Sequence, residues 1–128
     1  MSPALSTLLT VNNYCHDVAT ASLAASGITM WVIMRQLENT GSPEVLSLLF
    51  SLYRSISKIV TVSLIWIAAG AIPRILTFST FEFADALADN HLPGLMAGHI
   101  VSFVMTLAGA CLWISLIKRM KQIRGGAL

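Results

Sequence analysis

The sequence predicts an all-α membrane protein with three transmembrane helices, on three observations. Only 11% of its 128 residues are charged and 55% are hydrophobic, too little charge to cover a soluble domain of that size. The apolar residues gather into three charge-free runs, 18–34, 59–73 and 100–117. None of these runs alternates with period two, which excludes a closed β-barrel, whereas helices satisfy their own backbone in lipid. With polar flanks that reach the interface, each run suffices for a hydrocarbon core of about 30 Å. The expected spans are about 14–35, 58–78 and 94–117, in one membrane domain covering 1–128.

Taken in order, the first element has a start signal at Ser2-Pro3, well before His16. The opening "MSPALSTLL" has no basic region and no A-x-A site, so the first span is expected to be retained. In "NTGSPEVL" the first helix closes near Gly41. The second opens with Ser42 as N-cap, Pro43 at the first helical position and Glu44 in the first turn. Glu44, Ser47, Ser51, Arg54, Ser55 and Lys58 then share one helical face, opposite Val45, Leu48, Leu49, Leu52 and Ile56. That is an amphipathic extension of helix two. After the second span, "STFEFADALADN" reads as a capping box, Ser79 to Glu82, opening a short acidic helix that ends near Asn90. Pro93 and Gly94 start the third span.

Charge sets the orientation. Arg35, Arg54 and Lys58 lie in the first connection, and Lys118, Arg119, Lys121 and Arg124 fall on the same side. Only Arg74 is on the other side, with Asp17, Glu82, Asp85 and Asp89. Basic residues favour the cytoplasmic face. The expected topology is N-terminus outside and C-terminus cytoplasmic, in a bacterial or archaeal inner membrane.

All three histidines then belong to the outer half. His16 enters helix one, His91 precedes helix three, and His99 lies about two turns inside it if that helix starts near Pro93. His16 and His99 are expected at similar depths on different helices, which suits a b-type haem held by two axial imidazoles. His91 is the reserve ligand. Ala19, Thr20 and Gly27 near His16, and Ser102, Thr106 and Gly109 below His99, leave room for a flat macrocycle or allow close helix packing without one. Arg74 is the candidate partner of haem propionates. Asp17 is the candidate to hold an imidazole's second nitrogen. The plainer alternative makes Arg74 a partner of Asp17 or Glu82, and His99 a polar contact between helices.

Three spans of this size with histidines near one face resemble the small membrane cytochrome b-type subunits and anchors of respiratory complexes. The H-R-x-S-G pattern of succinate dehydrogenase anchors is missing. "HDVAT" and "GHIVSFVMTLAGACLW" also resemble small CopD-type membrane proteins, which are linked to copper. The first resemblance implies a haem b electron-transfer subunit between the quinone pool and an outer-side redox partner. Quinone is then a second ligand, with Trp66 or Tyr14 as candidate contacts. Other membrane subunits or a homo-oligomer are the expected partners, and the acidic segment Glu82 to Asp89 is expected to face a basic electron carrier. Two alternatives stand beside it. One is a cofactor-free structural anchor of a multisubunit complex. The other is copper handling by Cys15, His16, His91, Met96 and His99, a thiol, thioether and imidazole set. No Ser-His-Asp order, H-E-x-x-H or phosphate loop marks a stand-alone enzyme, and no nucleic-acid motif is present. Cys15 and Cys111 are expected at different depths and unbridged.

Overall fold

Four α-helices and one π-helical turn make up the computed structural model, which describes residues 2–126. Helix α1 runs Pro3–Leu37. Ser2 caps it, its hydroxyl accepting from the Leu5 N–H at 3.3 Å, and Pro3 sits where a helix lacks an acceptor for its N–H anyway. Helix α2 runs Pro43–Thr77 after a connection in which Gly41 adopts φ +64°, a left-handed conformation that favours glycine. A π-helical turn, Phe78–Glu82, leads without a break into α3, Phe83–Ala88. Asn90, at φ 56°, ends this arm, and α4 covers Leu92–Gly126. These helices form three segments long and apolar enough to cross a bilayer, Pro3–Leu37, Pro43–Ala88 and Leu92–Gly126. The chain is a multi-pass membrane protein on that ground. Large apolar side chains such as Val62, Ile65, Ile100 and Phe103 stand exposed around the bundle, as contact with lipid requires.

One local expectation is corrected. Ser79 does not cap a new helix, and Glu82 is no capping partner. The chain stays helical from Pro43 to Ala88, taking up an extra residue in the π-helical turn. Ser79 and Glu82 therefore lie inside a continuous arm, where no set of orphan N–H groups awaits a cap. Pro73 inside α2 removes one intrahelical hydrogen bond. The Gly70 carbonyl close to it accepts from Asn12 Nδ2 of α1 at 3.0 Å.

Helix α1 packs against both α2 and α4, while α2 and α4 barely approach one another through their backbones. The apolar core gathers toward the C-terminal half of α1. Leu23, Met30 and Met34 meet Leu49 and Val60 of α2 and Trp113, Leu116 and Met120 of α4. At that end Tyr53 stacks flat on Trp113, centroids 5.5 Å apart, bridging α2 and α4. Arg119 of α4 also grips Glu38 with two nitrogens, both at 3.1 Å. The C-terminal part of α4 thereby lies beside the end of α1.

Small residues bring α1 and α4 together. A Cβ on Gly109 would meet Leu23 Cγ at 2.9 Å and the Ala24 backbone nitrogen at 3.3 Å. Leu23 is fully buried and has no room to give. Gly27 faces Leu112 in the same seam. Gly27 and Gly109 thus serve helix packing rather than leaving room for a macrocycle. Gly109→Ala is expected to cost about 1–3 kcal/mol by overpacking. Reversible detergent unfolding of the variant checks this, and a change within the error of wild type would mean that the seam yields.

Candidate functional site

At the opposite end of the bundle from the core, the spread of α2 from α4 leaves an apolar groove of about 590 Å³. Its floor is His16 of α1. Ile67, Ala71, Arg74 and Ile75 form the α2 wall, with Phe78 at the π-helical turn. His99, Ser102, Phe103 and Thr106 form the α4 wall. His16, His99 and Arg74, the three residues singled out as cofactor ligands from sequence, share this one groove. His91 is exposed in the connection before α4 and does not line it.

Polar groups converge behind the groove. Arg74 is the hub. Its Nη1 lies 3.0 Å from Asp17 Oδ1 and 3.3 Å from His16 Nδ1, and its Nε is 3.3 Å from Glu82 Oε1. Glu82 also accepts from Asn13 Nδ2, and its other oxygen is 3.1 Å from His99 Nε2. The expectation that Glu82 faces an outer partner is therefore corrected. Its side chain is only 6% exposed and points inward, because a cation, an amide and an imidazole surround it there. Asp85 and Asp89 do remain exposed.

Two ring protons can be placed from donor rules. His99 Nδ1 is 2.9 Å from the Leu95 carbonyl oxygen, which only accepts, so Nδ1 carries a proton. This leaves Nε2 as the other ring nitrogen, buried against Glu82. Despite the 3.1 Å separation, His99 Nε2 and Glu82 Oε2 are both buried without a well-aligned hydrogen bond. Arg74 Nε is in the same position toward Glu82 Oε1. Arg74 and Glu82 attract as opposite charges, and neither contact has the alignment of a full hydrogen bond. At His16 a guanidinium only donates, so Nδ1 is the acceptor and the proton sits on Nε2. Asp17 Oδ1, at 3.8 Å from the same Nδ1, is the weaker neighbour. Phe78 fixes the His99 ring edge-on, centroids 5.3 Å apart.

Glu82, Asn13, Asn12 and Phe78 were not singled out as site residues from sequence. Glu82 had a signal: eight residues after Arg74, it stays about 80° from it on an ideal helix, so the two can share a face. The asparagines had none beyond being amides on an otherwise apolar helix.

The copper set does not assemble. Cys15 lines a different groove, with Val62, Ser63 and Trp66, and His91 lines neither. Among the described residues no group of three or more His, Cys, Asp or Glu is arranged to hold a metal ion. Cys15 and Cys111 are both free. Comparisons with protein-family models, with curated proteins and with solved structures found no match.

Proposed function

We propose that this chain is an integral-membrane haem b electron-transfer subunit, linking the quinone pool to a redox partner on the outer side within a larger complex. The observation that carries this reading is the shared groove. Two imidazoles from α1 and α4 and one arginine from α2 line a single apolar cleft whose volume is in the range of small-molecule and cofactor sites. His99 suits an axial ligand best. A proton on Nδ1 bonded to a backbone carbonyl is the usual way a ligating histidine is oriented, and its Nε2 would ligate once Glu82 Oε2, now 3.1 Å away, gave way. His16 needs one rearrangement. Its Nδ1 now accepts from Arg74, and ligation through Nε2 requires that proton to move to Nδ1, where Asp17 is the acceptor at hand. Arg74 would leave His16 to pair with a propionate. Haem, when bound, supplies a one-electron couple, and these residues orient it, bury it and tune its charge.

A second reading has its own support. Arg74, Asp17, Glu82, Asn13 and His99 already contact one another, as they would in a cofactor-free anchor whose polar cluster only ties helices together. The visible spectrum of the purified protein, oxidised and dithionite-reduced, separates the two. A reducible low-spin haem spectrum supports the first. Protein isolated from haem-sufficient cells without visible absorbance overturns it.

The same reading puts the N-terminus and the exposed Asp85 and Asp89 outside, where they would meet a basic carrier, and the Glu38–Arg119 end in the cytoplasm of a bacterial or archaeal cell. The first half of α2 then becomes an inner extension, its Leu49, Tyr53 and Ile56 packed on the bundle. Reporter fusions at residue 128 and near Asp85 test this orientation. The C-terminal fusion should report cytoplasm and the Asp85 fusion the outside; the reverse pattern would overturn it.

A further inference from the structure

The far end of the α2–α4 furrow holds a second cavity, of about 460 Å³, with a different chemistry. Two cations come from α2, Arg54 and Lys58, and two from α4, Lys121 and Arg124. Tyr53 and Ser57 add hydroxyls, while Phe50, Ile117 and Met120 give it an apolar base. Among the described residues none of the four cations has a carboxylate in ion-pair range. The nearby carboxylate Glu38 is already held by Arg119. Arg124 lies 5.8 Å over the Phe50 ring, which leaves its donors free for another acceptor.

Four like charges around one small cavity repel one another, and the described residues offer them no counter-ion. An occupant with several negative charges relieves that repulsion. The cavity lies near one end of helices that are long enough to cross the bilayer, next to their exposed apolar faces. An anion located there is most readily supplied by the lipid itself. We propose that this cavity binds the phosphate headgroup of an anionic phospholipid, and that a headgroup with two phosphodiesters is preferred over one. Each helix contributes one cation pair, Arg54 with Lys58 and Lys121 with Arg124, so two phosphates can each meet charge. Arginine offers forked donors to phosphate oxygens and lysine a point charge. The acyl chains extend along the exposed apolar flanks of α2 and α4. The proposal does not depend on what occupies the histidine groove.

The test uses the full chain in detergent, mixed with diphosphatidylglycerol, phosphatidylglycerol or phosphatidylcholine at equal mole fraction. Bound lipid is counted by native mass spectrometry. Retention should fall in that order. The double variant Arg54→Gln/Arg124→Gln should weaken diphosphatidylglycerol retention about thirtyfold, from the usual worth of two basic groups near an anionic surface. The independent pair Lys58→Gln/Lys121→Gln should do the same, which covers the case where one double variant fails to fold. Arg35→Gln removes a cation of the same end that lies outside the cavity, stacked on Trp31, and should leave retention unchanged. Equal retention of phosphatidylcholine would overturn the proposal, as would an equal loss in Arg35→Gln. So would inorganic pyrophosphate alone raising thermal stability as much as the lipid does, since that marks a site for soluble anions.

Discussion

In the haem subunit proposed above, alanine at His99 is expected to abolish the low-spin spectrum or convert it to high-spin, and alanine at His16 to do the same. Either change would remove one proposed axial ligand, and no other histidine lines the groove to take its place. His91→Ala should leave the spectrum largely intact. Its backbone N–H donates to the Ala86 carbonyl at 2.9 Å, which holds it in the turn before α4, and its side chain is exposed. The two ligand variants should not behave identically. His99 is braced by Leu95 and Phe78, so its loss also removes a neighbour of buried Glu82. His16 is linked to its partners only through Arg74 and Asp17. His99→Ala should therefore also lower thermal stability without haem, and His16→Ala should do so less. Both variants keeping a wild-type low-spin spectrum would end the assignment, and any haem would then belong to other residues or to another subunit.

How much of this could be read in advance follows the range of the interactions. Helix starts and ends are local: Ser2-Pro3, Pro43-Glu44 and Asn90 behave as their residue types dictate, while Ser42 takes the N-cap position without a side-chain hydrogen bond. The spans follow from apolar runs that need no partner to be recognised. His16, His99 and Arg74 came from composition and depth, and the structure brings them to one groove. Glu82 is the partner of Arg74 that the plainer alternative makes it, but two local rules point the wrong way about its surroundings. S-x-x-E looks like a cap, and an acid followed by Asp85 and Asp89 looks like a solvated surface. What decides its position is tertiary: Arg74 one helical face away, Asn13 across on α1 and His99 across on α4. The π-helical turn was likewise illegible, because a single inserted residue leaves no mark on composition. Gly27 and Gly109 read equally well as cofactor clearance and as packing, and only the 2.9 Å approach of Leu23 to a Cβ on Gly109 separates the two.

The other large effect should come from Arg74. Among the described residues it is the only lysine or arginine in ion-pair range of Asp17 and Glu82, and its side chain is 16% exposed. Arg74→Ala leaves the Glu82 carboxylate buried, with the Asn13 amide as its hydrogen-bond donor and His99 as its other neighbour. Breaking a buried pair by removing one member costs about 3–5 kcal/mol, because the remaining charge keeps its desolvation penalty without its partner. Asp17 adds little to that loss, since its side chain is 58% exposed and water can replace the arginine. Arg74→Lys should fall between wild type and alanine. One ammonium on a flexible stem cannot reproduce a fork that reaches Asp17 and His16 with one nitrogen and Glu82 with another. Arg74→Leu with Glu82→Leu should recover much of the loss, because it removes both charges from an apolar setting. Unfolding of the four proteins in mixed detergent, measured by helical circular dichroism, gives the comparison. An Arg74→Ala protein as stable as wild type would mean that the carboxylate of Glu82 reaches water, and the cluster would then not be the buried tie among α1, α2 and α4 that its distances describe.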